Sequence, residues 1–147
     1  MTILVSTKLR NDASGTLGYT SAYVNGTPYL AIYVGTTPAL GDGSVPGALL
    51  GTLPIAQTFA GVPSAGTITL SAITSATAVA TGGAGVFCIY RLGDNVPGTN
   101  CPTTQPRIWG SIATSGQDLN FSGGTQFTSG GTISISSFVL IVPPSGP

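Results

Sequence analysis

The chain has 147 residues, enough for one domain with its own hydrophobic core. Only 5% of the residues are charged, the formal net charge is zero, and the sequence contains no histidine and no glutamate. Without a basic surface, binding to nucleic acid or to an anionic membrane is not expected, and the usual proton carriers and metal ligands of catalytic sites are scarce. We therefore expect a structural or binding protein and not an enzyme, with no cofactor and no metal.

The first part of the chain is predicted to differ from the rest. Residues 1–28 are expected to form a short helix or an arm, with Ser6 or Thr7 as its cap and Gly15 and Gly18 at its end. Residues 29–147 are expected to form a single all-β domain, because short runs of Val, Ile, Thr, Tyr and Phe alternate there with Gly and Pro turns.

Alternating apolar residues place the strands of this domain. They are predicted, in chain order, at Tyr29–Val34, Leu49–Thr58, Thr67–Ser71, Thr77–Thr81, Val86–Leu92, Arg107–Ala113 and Thr132–Val142. Val86–Leu92 is the most apolar of the early strands and is expected to be central, whereas Pro54 favours an edge or a bulge. Gly82–Gly85 is interpreted as a flexible turn. About seven or eight strands at this spacing favour a sandwich or a jelly-roll-like barrel.

Every aspartate has a structural explanation. Asp42, Asp94 and Asp118 each lie in a predicted turn, where a carboxylate accepts local backbone hydrogen bonds. Asp12 stands four residues from Lys8 and can pair with it on the predicted helix. None of these residues is expected to be catalytic.

The two cysteines leave two alternatives open. Cys88 lies in an apolar strand and Cys101 in the Pro-rich loop 96–106, so a disulfide between them would fix this loop to the sheet. The sequence shows neither a signal peptide nor a membrane span, and we expect the chain to be made in a cytoplasm. A reducing compartment favours two free thiols.

Three aromatic residues are candidates for an interface. Tyr29 and Tyr33 share the face of their strand opposite Leu30 and Ile32, and a sandwich strand has one face toward solvent. Trp109 lies on the opposite face from its strand neighbour Ile108. It either offers a stacking surface or fills the core, and the core interpretation is favoured.

The near-absence of charge also bears on assembly. A neutral surface rich in Ser, Thr and Gly repels other copies weakly, which favours a chain whose surface is partly covered by other subunits. The segment Met1–Tyr23 is predicted to dock on a partner or to be swapped between copies. The alternative is that it packs as an ordinary cap over one end of the domain.

Several blocks of the sequence, taken in order, form a recognisable pattern: Ile32–Pro38, Leu49–Leu53, Phe87–Leu92, Gly110–Phe121, Gly131–Phe138 and Val142–Pro143. The pattern resembles a group of small proteins encoded among the structural genes of tailed bacteriophages. The most specific block is Gly110–Phe121, which carries the sequence Thr-Ser-Gly-Gln-Asp-Leu-Asn. The predicted helix is shorter than in that group, and residues 94–105 look like an insertion.

The resemblance implies a virion structural protein and no particular site residue. The leading expectation is a capsid decoration or cement protein on the capsid surface, made in the host cytoplasm. Its partners would be the major capsid protein and copies of itself, bound to the lattice as a homo-oligomer. The alternative is a tail or fibre component that binds host surface glycans.

Overall fold

The computed structural model describes residues 3–6, 28–45, 47–55, 67–70, 73–91, 93–121, 123–135 and 138–141. Within these ranges the chain is all β and contains no helix. Its eleven strands are β1 (Leu4–Val5), β2 (Pro28–Val34), β3 (Leu49–Pro54), β4 (Thr67–Leu70), β5 (Ala76–Thr77), β6 (Gly82–Arg91), β7 (Ile108–Ala113), β8 (Leu119–Asn120), β9 (Gln126–Phe127), β10 (Thr132–Ile133) and β11 (Phe138–Ile141).

Seven of these strands form one main sheet. Its order is β1-β7-β6-β2-β3, with β8 added beside β7 and β9 beside β6. All neighbours are antiparallel except β7 and β8, which run parallel. The remaining strands form the pairs β5–β10 and β4–β11. The central strand is β6, as its continuous apolar run predicts.

The first face of the main sheet carries the larger core. Its buried residues in β2, β3, β6 and β7 are Leu30, Ile32, Leu50, Leu53, Ala84, Phe87, Ile89, Ile108 and Ile112. The β5–β10 pair covers this face, and Ile133 of β10 is fully buried there. Burying a side chain of this size contributes about 1.5–3 kcal/mol, so this layer is the larger source of hydrophobic stabilisation among the described residues.

The edge strand β3 contains a bulge that enlarges this core. Ile32 pairs with Gly51 and Tyr33 with Leu49, so Leu50 is an extra residue without a partner in β2. The bulge turns Leu50 toward the first face, where it is fully buried. Gly51 has no side chain at a point where a Cβ would lie 2.7 Å from Cδ1 of Ile133, which lets the β5–β10 pair pack close to the sheet.

The prediction of a flexible turn at Gly82–Gly85 is wrong, because these residues begin β6. Gly82 and Gly83 pair with Phe127 and Gln126 of β9. A Cβ on Gly85 would collide with the carbonyl oxygen of Gly35. Because Gly85 has no side chain, the backbone of β6 can lie close to the backbone at Gly35. Close approach of two backbones is one of the reasons for which glycine occurs within strands.

Two predicted strands differ most clearly from the observed ones. The segment Thr132–Val142 divides into β10 and β11, which belong to different sheets. The strand expected at Thr77–Thr81 is limited to Ala76–Thr77. This division, together with the unpredicted short strands β1, β8 and β9, gives eleven strands where seven or eight were expected.

The predicted helix lies outside the described residues, except for its candidate cap Ser6. Leu4 and Val5 pair with Trp109 and Ile108 in the main sheet, and Ser6 is fully buried beside Arg107. Residues 4–6 are therefore part of the domain formed by the later strands. At the other predicted boundary, Pro28 begins β2.

Candidate functional site

The second face of the main sheet is covered by two loops. We call residues 36–45 and 93–107 together the loop layer. Beneath it lies a smaller buried cluster from β2, β6 and β7, with one loop residue, formed by Ala31, Tyr33, Val45, Val86, Cys88, Tyr90 and Trp109. The two loops bind each other through backbone hydrogen bonds. Cys101 N–H donates to Asp42 O at 3.0 Å, and Val45 N–H donates to Pro97 O at 3.4 Å.

Arg107 joins the two loops to the sheet. Its side chain is fully buried immediately before β7. Nη1 donates to the carbonyl of Gly43 at 2.7 Å, and Nη2 donates to the carbonyls of Asn95 and Val96 at 2.8 and 3.0 Å. The guanidinium carbon lies 5.8 Å from the centre of the Trp109 ring. Residues two apart on a strand share a face, which explains why Arg107 and Trp109 meet.

The site is unusual because backbone carbonyls surround the buried cation. Taking a guanidinium out of water is costly unless its donors are satisfied. Three carbonyls and an aromatic ring compensate most of that cost, whereas Nε of Arg107 has no hydrogen-bond partner. The carbonyls belong to both loops, so the position of each loop depends on the same side chain.

The three aromatic interface candidates differ in how far the structure buries them. Trp109 is 0% exposed and donates its Nε1–H to Gly41 O at 2.9 Å, so the core interpretation describes it. Tyr33 is 4% exposed and lies under Gly98. For Tyr33 the interface prediction is corrected, because the loop layer covers the face that was expected to be solvated. Tyr29 is half-buried and packs against Tyr90, with ring centres 6.0 Å apart.

Cys88 and Cys101 are both free and buried, so the disulfide alternative is not what the structure contains. Cys88 lies beneath the loop layer, opposite Trp109 in the β6–β7 ladder. The Cys101 thiol lies 3.8 Å from Oδ1 of Asp42. Burial raises the pKa of both thiols, and that of Cys88 lies well above its ordinary value. The nearby Arg107 cation lowers both pKa values, but its effect is smaller than that of burial. Both thiols are therefore protonated near neutral pH.

The described acidic side chains act within the chain, although through side-chain and cross-turn contacts and not through the local backbone hydrogen bonds expected of turn residues. Asp94 forms an ion pair with Arg91, with Nε and Oδ2 3.0 Å apart. Asp118 accepts hydrogen bonds from the backbone N–H and the hydroxyl of Ser111, at 2.9 and 2.8 Å. Asp42 is approached by the Cys101 thiol. With Arg107 buried, each charged side chain in the described part of the chain is already engaged.

The most exposed large apolar side chains are consequently the most distinctive part of the surface. Among the described residues they are Leu40, Val79 and Val96, at 72%, 63% and 53% exposure. Leu40 and Val96 both belong to the loop layer. Val96 O accepts from Arg107, and Leu40 O accepts from the N–H of Gly43, whose own carbonyl accepts from Arg107. Arg107 therefore binds the backbone of Val96 directly and that of Leu40 through Gly43.

The sequence contained a signal for this site that composition and motif analysis missed. Arg107 and Trp109 stand two apart at the start of a predicted strand, a spacing that places a cation and an indole on one face. The loops that complete the site lie far away in sequence, and strand periodicity alone does not indicate which loop covers which face.

No family model, curated protein or solved structure matches this chain. In the part that the structure describes, no helix has the length and apolar character needed to cross a bilayer. The same residues contain no group of three Cys or Asp side chains arranged to hold a metal ion.

Proposed function

We propose that this chain is a virion structural protein of a tailed bacteriophage, acting as a capsid decoration or cement protein that binds the lattice as a homo-oligomer. The observation that carries the proposal is the engagement of every described charged side chain within the chain itself. The surface that the described residues leave for partners is therefore neutral. The resemblance of Gly110–Phe121 and the other blocks to phage structural proteins supports the same assignment.

A neutral surface suits a protein that must cover the joints between capsid subunits. Contact between two charged surfaces requires the desolvation of each ion, which costs several kcal/mol for an ion that remains unpaired. A face of Ser, Thr, Gly and apolar side chains avoids most of this cost. Many copies on one lattice also gain avidity, so each contact can be weak.

The loop layer is the contact surface that we assign to the capsid. It presents Leu40 and Val96 on two loops that are fixed by Arg107. Preorganised loops lose little conformational entropy on binding, which favours affinity from a small apolar area.

The alternative of a tail or fibre protein that binds glycans has less support. A glycan site needs exposed aromatic rings with polar side chains around them. Trp109 and Tyr33 are buried beneath the loop layer, and Tyr29 packs against Tyr90. We also propose that the chain has no catalytic role, since the described aspartates are held in local structure and the sequence has no His or Glu.

Cryo-electron microscopy of the virion that carries this gene tests the location. Density for the chain at regular positions on the capsid lattice is the expected result. Density confined to the tail or its fibres would overturn the decoration proposal and favour the glycan-binding alternative.

Binding of the purified chain to capsids that lack it tests the surface. Val96→Asp places a charge on the loop layer, and we expect it to weaken binding at least about tenfold, because the carboxylate must be desolvated without a partner. Val79→Asp is the matched control, since Val79 is as exposed but lies outside the loop layer. Equal effects of the two substitutions would contradict the assignment of this surface.

A further inference from the structure

Arg107 is held on two sides, by the N-terminal strand through its backbone and by the loop layer through its side chain. Ser6 N–H donates to Arg107 O at 2.9 Å, and Arg107 N–H donates back to the Ser6 hydroxyl at 2.8 Å. The guanidinium of the same residue donates to the carbonyls of Gly43, Asn95 and Val96. One residue therefore connects the end of β1 to both covering loops.

Trp109 makes a second connection of this kind. It pairs with Leu4 in the β1–β7 ladder, and its indole Nε1–H donates to Gly41 O at 2.9 Å. Leu4 is half-buried and packs against the cluster beneath the loop layer, to which Trp109 belongs. At this end of β7, the two side chains that bind the loops thus belong to residues whose backbone lies against β1 or the serine that follows it.

The contact between Ser6 and Arg107 is shielded from water. In the described part of the chain, these are the two fully buried residues with a side chain of the hydroxyl, amide or charged type. A buried N–H that loses its acceptor is not rehydrated, so the loss is costly. The Ser6 hydroxyl stands where a strand carbonyl would otherwise accept, which makes this contact accessible to substitution.

A small displacement of this contact reaches the loops through the guanidinium. The three bonds from Arg107 to the loop carbonyls have lengths of 2.7, 2.8 and 3.0 Å. Hydrogen bonds of this type rarely exceed about 3.2 Å, so moving Arg107 away by about 0.5 Å takes two of the three beyond that length. Either the loops follow the shift or they lose their attachment.

We infer that Ser6 is a positioning residue for the loop layer: it seats β1 on β7 and so holds Arg107 where the guanidinium binds both loops. The N-terminal strand thereby controls how firmly Leu40 and Val96 are held at the surface. The effect on the loops depends only on contacts within the chain, whereas the effect on capsid binding rests on the proposed function.

Amide hydrogen exchange of the full chain, measured by nuclear magnetic resonance, tests this coupling. Ser6→Ala removes the acceptor of the Arg107 N–H. The chain has one tryptophan, so the indole N–H of Trp109 gives a single signal, and Cys101 N–H reports on the bond between the loops to Asp42 O. We expect both protons to exchange at least about tenfold faster, the usual effect of losing one buried hydrogen bond. Unchanged exchange of these protons would overturn the inference.

A second variant weakens β1 through a different contact. Leu4→Ala removes the side chain that packs against the cluster beneath the loop layer and leaves the Ser6 hydroxyl in place. We expect faster exchange of the same two protons. If Leu4→Ala leaves both unchanged, the loops do not depend on the seating of β1.

Ile133→Val is the matched control for a general loss of stability. Ile133 is fully buried on the first face, and this change typically costs a stability similar to that of one hydrogen bond. On that side of the sheet Ala78 N–H donates to Gly131 O at 2.7 Å, and Ser6→Ala should affect its exchange less than that of the loop protons. Equal acceleration of the loop protons by Ile133→Val and Ser6→Ala, at equal stability, would contradict a specific role of Ser6.

Capsid binding by the same variants separates this coupling from the proposed function. Faster loop exchange in Ser6→Ala with unchanged capsid binding would retain the coupling and reject the loop layer as the contact surface. Unchanged loop exchange with capsid binding intact would reject the coupling and leave the decoration role in place.

Discussion

Arg107 is a buried cation whose partners cannot be removed by mutation, because they are backbone carbonyls. Replacing a buried ion pair by apolar residues is often harmless when both partners are replaced. Here the carbonyls of Gly43, Asn95 and Val96 would remain buried without donors. Replacing Arg107 should therefore lower the stability of the fold strongly, even though no carboxylate is among its hydrogen-bond acceptors.

We predict that Arg107→Met lowers the free energy of unfolding by about 3 kcal/mol or more, since three hydrogen bonds to a charged donor are lost and acceptors are left unsatisfied. Urea unfolding followed by tryptophan fluorescence measures this directly, because Trp109 lies beside the guanidinium. Arg91→Met is the control, and it should cost about 1 kcal/mol, as expected for a partly exposed ion pair. Similar losses for the two variants would contradict the role of Arg107 in fixing the loops.

The ionisable groups beneath the loop layer make stability depend on pH only on the alkaline side. Burial raises the pKa of the Cys88 thiol well above its ordinary value of 9.0, and it raises the pKa of Tyr33 to about 12. Both groups are neutral when protonated. As pH rises, the unfolded chain loses these protons first, so folding loses stability from about pH 9 upward, with the Tyr33 contribution lost between about 10 and 12.

We predict a flat unfolding free energy between about pH 5.5 and 8.5, because the sequence has no histidine or glutamate, followed by a decline above pH 9. Urea midpoints measured from pH 5.5 to 10.5 under reducing conditions check both parts. In Cys88→Ala, the unfolding free energy just above pH 9 should fall less from its value at pH 7 than it does in the unmodified chain. The comparison is made within the variant, so any loss of stability from the smaller side chain cancels. A decline of equal slope in that variant would assign the effect to other groups.

Individual strands were predictable wherever local periodicity determines burial. In β2, Leu30 and Ile32 enter the first core while Tyr33 enters the second cluster, as alternation requires. The turn before β8 was predicted at the right place, although Asp118 binds Ser111 across the turn and not a backbone group within it. The loop layer was not predictable, since hydrogen bonds such as that from Arg107 to Gly43 join residues 64 apart. Periodicity contains no information about such pairs.

The glycines of β6 illustrate the same limit at the level of a strand. Local sequence assigns Gly82–Gly85 to a turn, whereas the tertiary structure uses these residues for close approach of backbones. Gly85 lies against Gly35, next to the register shift between Tyr33 and Val34 of β2. A Cβ at this point meets backbone and not a mobile side chain, so the strands themselves would have to separate.

We predict that Gly85→Ala lowers the free energy of unfolding by about 1–3 kcal/mol, the usual cost of forcing an additional carbon into a packed site. Gly123→Ala is the matched control, because a Cβ there has no neighbouring atom within 4 Å. Denaturant titration of both variants is sufficient. A neutral Gly85→Ala would mean that β2 and β6 can move apart at little cost.

At the scale of the whole molecule, the net charge is zero and the charged side chains among the described residues are bound within the chain. Surface charges normally make association depend on salt, because ions screen attraction and repulsion beyond about 10 Å at 0.1 M. In this chain Arg91 and Asp94 neutralise each other, Asp118 is bound to Ser111, and Arg107 is buried. Association through such a surface should be governed by apolar contacts and backbone pairing, which salt weakens little.

We therefore predict that the association constant of the oligomer changes by less than about threefold between 50 and 500 mM sodium chloride. Sedimentation equilibrium at several protein concentrations measures it. Val79→Lys supplies the comparison, because it adds one positive charge to the surface of each copy. If the surface around Val79 approaches a neighbouring copy, the association constant of this variant should depend on salt. If it does not, the variant should behave like the unmodified chain. A strong salt dependence of the unmodified chain, tenfold or more, would show that charges outside the described residues, at Lys8, Arg10 or Asp12, contribute to the interface. The neutral surface of the described residues would then not suffice to explain how copies associate.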